Sequence, residues 1–105
     1  MHIGIIRGIG PAATDFYYRR LNSTFASKKA ALELTIVHAD TPTLLRNLAS
    51  KDAASQVAIY MKLTIRLAAA GAECVAITSV AGHFCVDAFK ASSLLPVVDL
   101  ISEVN

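Results

Sequence analysis

The chain contains four short apolar runs, Ile3–Ile6, Leu34–His38, Cys74–Thr78 and Val97–Leu100, separated by stretches of helical periodicity. Their length and their β-branched content suit strands. They alternate little between apolar and polar. A strand apolar on both sides must be covered on both sides, which is the condition of a parallel sheet between helical layers. The reading is β-α-β-α-β-α-β: an α/β fold with a four-stranded parallel sheet, helices on both faces and right-handed crossovers, Rossmann- or flavodoxin-like in class. With 105 residues there is room for one such domain, 1–105, and no internal repeat or linker divides it.

The intervening segments carry the matching signals. Pro11 suits the first position of a helix that runs to about Ser27, with Ala13, Phe16/Tyr17, Leu21 and Phe25 as its core-facing stripe. Asp40-Thr41-Pro42-Thr43 reads as a loop after the second strand. Asp52 can cap a long helix whose inner face carries Val57, Tyr60/Met61, Thr64 and Leu67/Ala68, with Gly71 just past its end. Ser79–Gly82 reads as the exit loop of the third strand, followed by a short helix from near His83 to Ser92.

Composition removes several function classes. The chain is 54% hydrophobic and 17% charged, which excludes a disordered segment. A formal charge of +2 is too mild to imply a nucleic-acid partner, and Arg19-Arg20 and Lys28-Lys29 read as solvated helix faces. The apolar stretch from Val57 to Ala76 is interrupted by Lys62, Arg66, Gly71 and Glu73, so no membrane span is expected. Cys74 and Cys85 lack the spacing of a redox motif or a disulfide framework, and no secretory leader opens the chain; both point to the cytoplasm. The last apolar run ends close to Asn105 with no closing helix, which suggests a continuation beyond it.

In open parallel sheets ligands bind beyond the carboxyl ends of the strands. That places Arg7, Gly8, Gly10 and Thr14 after the first strand, His38, Asp40, Thr41 and Thr43 after the second, and Thr78, Ser79, His83 and Cys85 after the third. Gly8-Ile9-Gly10-Pro11-Ala12-Ala13 fits G-x-G-x-x-A, so the turn could cradle a dinucleotide's phosphates or another anion at a helix N-terminus, or simply join strand to helix. Asp40 is a late match to the acidic residue that a ribose requires, and Pro11 removes a donor from the first turn. In the third-strand segment Ser79 sits at a strand end. Cys85 falls in the first turn of a helix, where the dipole favours a thiolate, or it is a small buried hydrophobe. His83 is either a structural histidine or part of a site. Cys74, at the far end of its strand, reads as core, and His2 as exposed. His38, His83 and Cys85 have no metal-ligand spacing, so no metal is expected.

These residues resemble a family. IGIIRGIGPAATDFYYRRL looks like the opening of the aspartate/glutamate/hydantoin racemase superfamily, whose members begin with a strand, a GGMGP-A-T turn and a helix bearing F-Y-x-R-[IL]. Gly8, Gly10, Pro11, Ala12, Ala13 and Thr14 match, and Arg7 replaces the usual first glycine. GAECVAITSVAGHF resembles the family's strand followed by P-C-N-T-A-H, with Thr78 at the proline and His83 at the histidine. LPVVD resembles the next strand, and Asp40 through Arg46 keeps the spacing of the loop after the second strand.

The resemblance spans nearly the whole chain but only the first of the family's two similar lobes. It implies a PLP-independent isomerase of amino-acid metabolism that needs no cofactor, with its site between the lobes and thiols on either side of the substrate's Cα. It implies a small carboxylate or amino-acid substrate and a possible homodimer. Carried over, Gly8, Gly10, Thr14, Asp40, Thr41, Arg46 and Thr78 would bind substrate. Ser79, His83 and Cys85 would be the catalytic group. The family's first-lobe cysteine is Ser79 here, a far weaker base that needs a neighbour such as His83. Alone, this lobe would be inactive. A carboxylate-binding protein without turnover, or a related decarboxylase, fits the same residues.

Overall fold

The central strand takes its place because it is apolar on both sides. A computed structural model of the chain describes residues 1–8, 11–78 and 81–98, and the side chains of all of these but 11–14 and 81. The element order is β1 (His2–Arg7), α1 (Pro11–Ser27), β2 (Glu33–His38), α2 (Thr41–Ala49), α3 (Ala53–Ala69), β3 (Cys74–Ile77) and α4 (Val86–Ser92), with a 3-10 turn over Ala81–Cys85 ahead of α4. The strands lie in the order β2-β1-β3 and both pairings are parallel. Register runs from His2 opposite Glu33 to Arg7 opposite His38, and from Ile3 opposite Cys74 to Ile6 opposite Ile77.

Alternate residues of the strands feed two separate cores. Ile3 and Ile5 of β1 join Cys74 and Ala76 of β3 beneath Tyr17 and Leu21 of α1. Ile6, Val75 and Ile77 point the other way, onto Tyr60, Leu63 and Leu67 of α3 and Phe89 of α4. Helices therefore cover both faces. On the α3 face the approach is close. A Cβ at Gly4 would lie 2.8 Å from Leu67 Cδ1 and 3.1 Å from its Cγ, and Leu67 is fully buried. A glycine in mid-strand lets α3 sit directly on the backbone of β1.

Three expectations need correction. The described sheet has three strands, not four. Where the fourth strand was expected, Val97 forms a single parallel bridge with Val75, through Val75 N–H to the Pro96 carbonyl at 2.9 Å and Val98 N–H to the Val75 carbonyl at 2.8 Å. Asp99 and Leu100 lie outside the described residues. Second, Asp40–Thr43 is not a loop: Asp40 caps α2, and Pro42 falls in its first turn, where a missing N–H costs little. Third, His2 is not exposed. Its ring shares a 2.7 Å hydrogen bond with Thr35 Oγ1, and its side chain is 13% accessible.

Other expectations meet direct counterparts. Asp52 caps α3, accepting from Ser55 N–H at 3.1 Å, and Gly71 follows its end at φ 99°. Cys74 is buried. On α1, Tyr17 takes the inward position while Phe16 stays half exposed, its ring 5.2 Å from that of Tyr17 in an edge contact. Met61 is likewise exposed, and Leu63 takes its place in the core. Among the described residues no helix is long and apolar enough to cross a membrane.

The Gly4–Leu67 contact yields a test. Gly4→Val should lower stability by about 1–3 kcal/mol through overpacking. The urea midpoint should fall with the slope unchanged. Adding Leu67→Ala should cost less than the sum of the two single changes, because the second makes room for the first.

Candidate functional site

The parallel strands all end at one edge of the sheet, and that edge collects most of the residues singled out from the sequence. Gly8 follows β1 and is buried. A Cβ there would lie 2.8 Å from Leu44 Cδ2, so the bare backbone lets α2 pack against the end of β1. Thr41 Oγ1 donates to the Gly8 carbonyl. The Ala39 N–H donates to the Arg7 carbonyl at 2.7 Å, continuing the β1–β2 ladder one step past the strands. The exits of β1 and β2 are thus held together by side chain and backbone.

Asp40 is exposed at the same edge, but its carboxylate is engaged. It accepts from the Thr43 hydroxyl at 2.6 Å and from the Thr43 N–H at 3.2 Å. The hydroxyl bond, then the backbone bond, hold the carboxyl below its ordinary range; slight desolvation opposes them, and the nearby charges of His38 and Arg46 assist. Asp40 is a helix cap first. Arg46 lies in the last turn of α2 and is exposed.

After β3, Thr78 is buried and its N–H donates to the Ile6 carbonyl at 3.3 Å. His83 folds back over the strand end. Its Nε2 lies 2.7 Å from the Ile77 carbonyl, an oxygen that can only accept, so Nε2 carries the proton. In the neutral ring Nδ1 is then the basic nitrogen. Ser79 and Gly10 lie outside the described residues, and for Thr14 only the backbone, in the first turn of α1, is described.

Cys85 is elsewhere in kind. It is 3% exposed and packs in the core cluster that holds Ile6, Ala39, Tyr60 and Phe89. Burial pushes its thiol up, outweighing its own backbone hydrogen bond. The residue stands at the start of α4, yet desolvation dominates over any help from the helix end. The structure places it as a protonated core thiol. The second cysteine, Cys74, is also pushed up, first by burial and then by the charge of Glu73.

The sequence reading missed a buried polar group beneath this edge. Asn47 Nδ2 donates to Gln56 Oε1 at 2.8 Å, joining α2 to α3. One turn further along α3, the Tyr60 hydroxyl donates to the Gly82 carbonyl at 3.1 Å, joining α3 to the segment after β3. Burial pushes the Tyr60 phenol well up; Cys85 adds to this and a hydrogen bond with Gln56 offsets part of it. Gln56 is fully buried, and its Nε2 meets no strict hydrogen-bond geometry among the described residues. A polar Gln56 on the apolar stripe of a helix, four residues before Tyr60, was the available signal. Among the described residues no three His, Cys, Asp or Glu side chains converge as a metal site.

Chemically, the start of α2 is what this edge offers an anion; the Thr41 hydroxyl has given its proton to the Gly8 carbonyl, and the nitrogen left on the neutral His83 ring, Nδ1, is a base and not a donor. The chain matches no protein-family model and no curated protein in sequence.

Two tests follow from the geometry. Tyr60→Phe removes the tie to Gly82 and should cost roughly 0.5–1.5 kcal/mol, measured by urea denaturation. The caps set an acid limit. Asp40 and Asp52 have carboxyls held below the ordinary aspartate value, in each case first by a hydroxyl hydrogen bond, so their contribution is fully present above that value. It is lost as pH falls through their lowered values in the folded state. The urea midpoint of the native chain should therefore drop below about pH 4. The Asp40→Ala/Asp52→Ala double variant should start lower and lose less over the same interval.

Proposed function

We propose that the chain is one lobe of a two-lobe, cofactor-independent amino-acid racemase of the aspartate/glutamate/hydantoin type. In this reading the carboxyl edge of the sheet is half of a cleft for a small amino acid or carboxylate, and a second lobe supplies the other half. The observation that carries it is the pair of ties at that edge, Thr41 to Gly8 and His83 to Ile77. Thr41 joins the start of α2 to the exit of β1, His83 folds the segment after β3 over its own strand end, and the parallel register sets the two exits side by side, in the order of the racemase-like motifs. The three-stranded parallel sheet with helices on both faces is compatible with a Rossmann- or flavodoxin-like lobe.

The roles follow from chemistry. Donors from the Gly8–Gly10 turn, with Thr14, Thr78 and the backbone N–H of Thr41, hold the substrate's carboxylate, the Thr41 hydroxyl being given to the Gly8 carbonyl, and Arg46 adds positive charge on the same side. Asp40 keeps α2 in place for Thr41. Ser79 stands where the family has its first-lobe thiol. To take the α-proton it must pass its own hydroxyl proton to a base, and His83 Nδ1 is the nitrogen left for that. The second lobe returns a proton from the opposite face. Cys85, neutral and buried, supports packing instead. In this reading the protein works in the cytoplasm, with its thiols reduced.

A second reading, carboxylate binding without turnover, is favoured by one observation. Both cysteines are buried with raised pKa, so neither supplies a thiolate. One experiment separates the two. L-aspartate or L-glutamate is incubated in D2O with the protein carrying both lobes, and the α-proton signal and enantiomer ratio are followed. Racemisation with deuterium at Cα, lost in a folded His83→Ala variant, is the expected result. Binding without exchange supports the second reading, and neither binding nor exchange by folded protein overturns both.

A further inference from the structure

A row of polar groups runs through the interior from α2 to the segment after β3. Asn47 Nδ2 donates to Gln56 Oε1 at 2.8 Å, and the Tyr60 hydroxyl donates to the Gly82 carbonyl at 3.1 Å. Gln56 and Tyr60 lie one turn apart on the buried face of α3, both fully buried, and Asn47 is buried beside them. Polar groups this deep in an apolar core are costly unless they answer one another.

The direction of the row is fixed at one end. A carbonyl oxygen only accepts, so Gly82 takes the Tyr60 proton. The phenol oxygen then has only lone pairs to offer Gln56. That turns Gln56 Nε2 toward Tyr60 and Oε1 toward Asn47, which is the observed orientation of the amide. The effect of Gln56 on the phenol has the matching sign: it lowers the Tyr60 pKa, as a donor facing the oxygen does. Nε2 falls short of strict hydrogen-bond geometry, so this middle contact is the loosest of the row. Cys85 Sγ also lies toward the Gly82 carbonyl, as a weak donor at 4.0 Å.

We propose that Tyr60 and Gln56 are positioning residues for His83, holding its imidazole in the tautomer that leaves Nδ1 as the base. The link is covalent geometry. The Gly82 carbonyl belongs to the same planar peptide unit as the His83 N–H and Cα. A glycine on the near side of that unit lets it rotate widely. The Tyr60 tie restrains that rotation and fixes the direction in which the His83 side chain leaves the backbone. From there Nε2 reaches the Ile77 carbonyl at 2.7 Å. With the peptide plane turned, the ring would lose that acceptor and the Nδ1–H form would compete. The row thus carries order from α2, whose Thr41 holds Gly8, to the ring after β3. Its catalytic consequence rests on the racemase reading, whereas the state of the imidazole does not.

Imidazole nitrogen-15 spectra of the labelled chain, recorded where the ring is neutral, read the tautomer directly. His83 is assigned by the signals lost in His83→Ala. Its native ring should show one protonated and one unprotonated nitrogen, well separated in shift. In Tyr60→Phe the two shifts should converge as the minor tautomer rises by up to roughly tenfold, the range of one neutral hydrogen bond. Gln56→Met keeps the volume and should give a smaller convergence. Added to Tyr60→Phe it should give no further change, because Gln56 acts through Tyr60. Leu63→Ala removes packing from the same face of α3 and should leave the His83 ring as in the native chain. On the racemase reading, Tyr60→Phe in the protein carrying both lobes should lower kcat for Cα exchange with KM unchanged. Mixed tautomers in the native chain, an unchanged His83 ring in folded Tyr60→Phe, or equal convergence in Leu63→Ala would overturn the proposal. If Gln56→Met does not fold, Tyr60→Phe decides. If the native two-lobe protein shows no exchange, the racemase reading fails and the spectra still decide the role of Tyr60.

Discussion

The structure depends on one strand being buried on both faces. β1 lies between β2 and β3, sends Ile3 and Ile5 to α1 and Ile6 to α3, and at Gly4 lets Leu67 rest on its backbone. That contact sets how near α3 comes to the sheet. The N-terminal turns of α3 in turn place Gln56 and Tyr60 beneath the exits of the strands. A bulkier residue at position 4 would lift α3 and disturb the tie from Tyr60 to Gly82 on the same helix. Core and candidate site are therefore coupled through a single helix, not through a chain of surface contacts.

The carboxyl edge is organised by hydrogen bonds that also end secondary structure. Asp40 caps α2, Thr41 in the same turn reaches Gly8, and the His83 ring closes over the Ile77 carbonyl. Each bond satisfies a backbone group at an element end, and together they order three loops at little separate cost in chain entropy. The consequence for chemistry is selective. Asp40 is occupied as a cap, Cys85 is neutralised by burial, and His83 is restricted to one tautomer with Nδ1 as its base.

The fold was legible where local signals were strong. Apolar, non-alternating runs marked β1, β2 and β3, and Pro11, Asp52 and Gly71 marked helix ends that the structure keeps. What escaped had physical reasons. Asp40-Thr41-Pro42-Thr43 carries turn residues, and only the side-chain bond from Asp40 to Thr43 shows that it starts a helix. Phe16 and Tyr17 are equivalent by composition, and a helix can turn only one of them inward. Cys85 at a helix start read as either an activated thiol or a small buried hydrophobe; burial, which depends on Tyr60 and Phe89 arriving from distant sequence, decided for the second. Gln56 on the apolar stripe of α3 hinted at a buried polar group, but its partner Asn47, nine residues away on another helix, shows only once the two helices come together.

The central claim is that the carboxyl edge of the sheet receives a small carboxylate and not a nucleotide. Backbone amide shifts of the isotopically labelled chain, titrated with malonate, aspartate and NAD, test it most directly. The account predicts saturable shifts with malonate or aspartate, centred on Gly8, Thr41, Thr78 and His83 and sparing β2's outer edge, and none with NAD. Shifts at the carboxyl edge with NAD alone, or carboxylate shifts scattered over the lysine- and arginine-bearing surface, would contradict it.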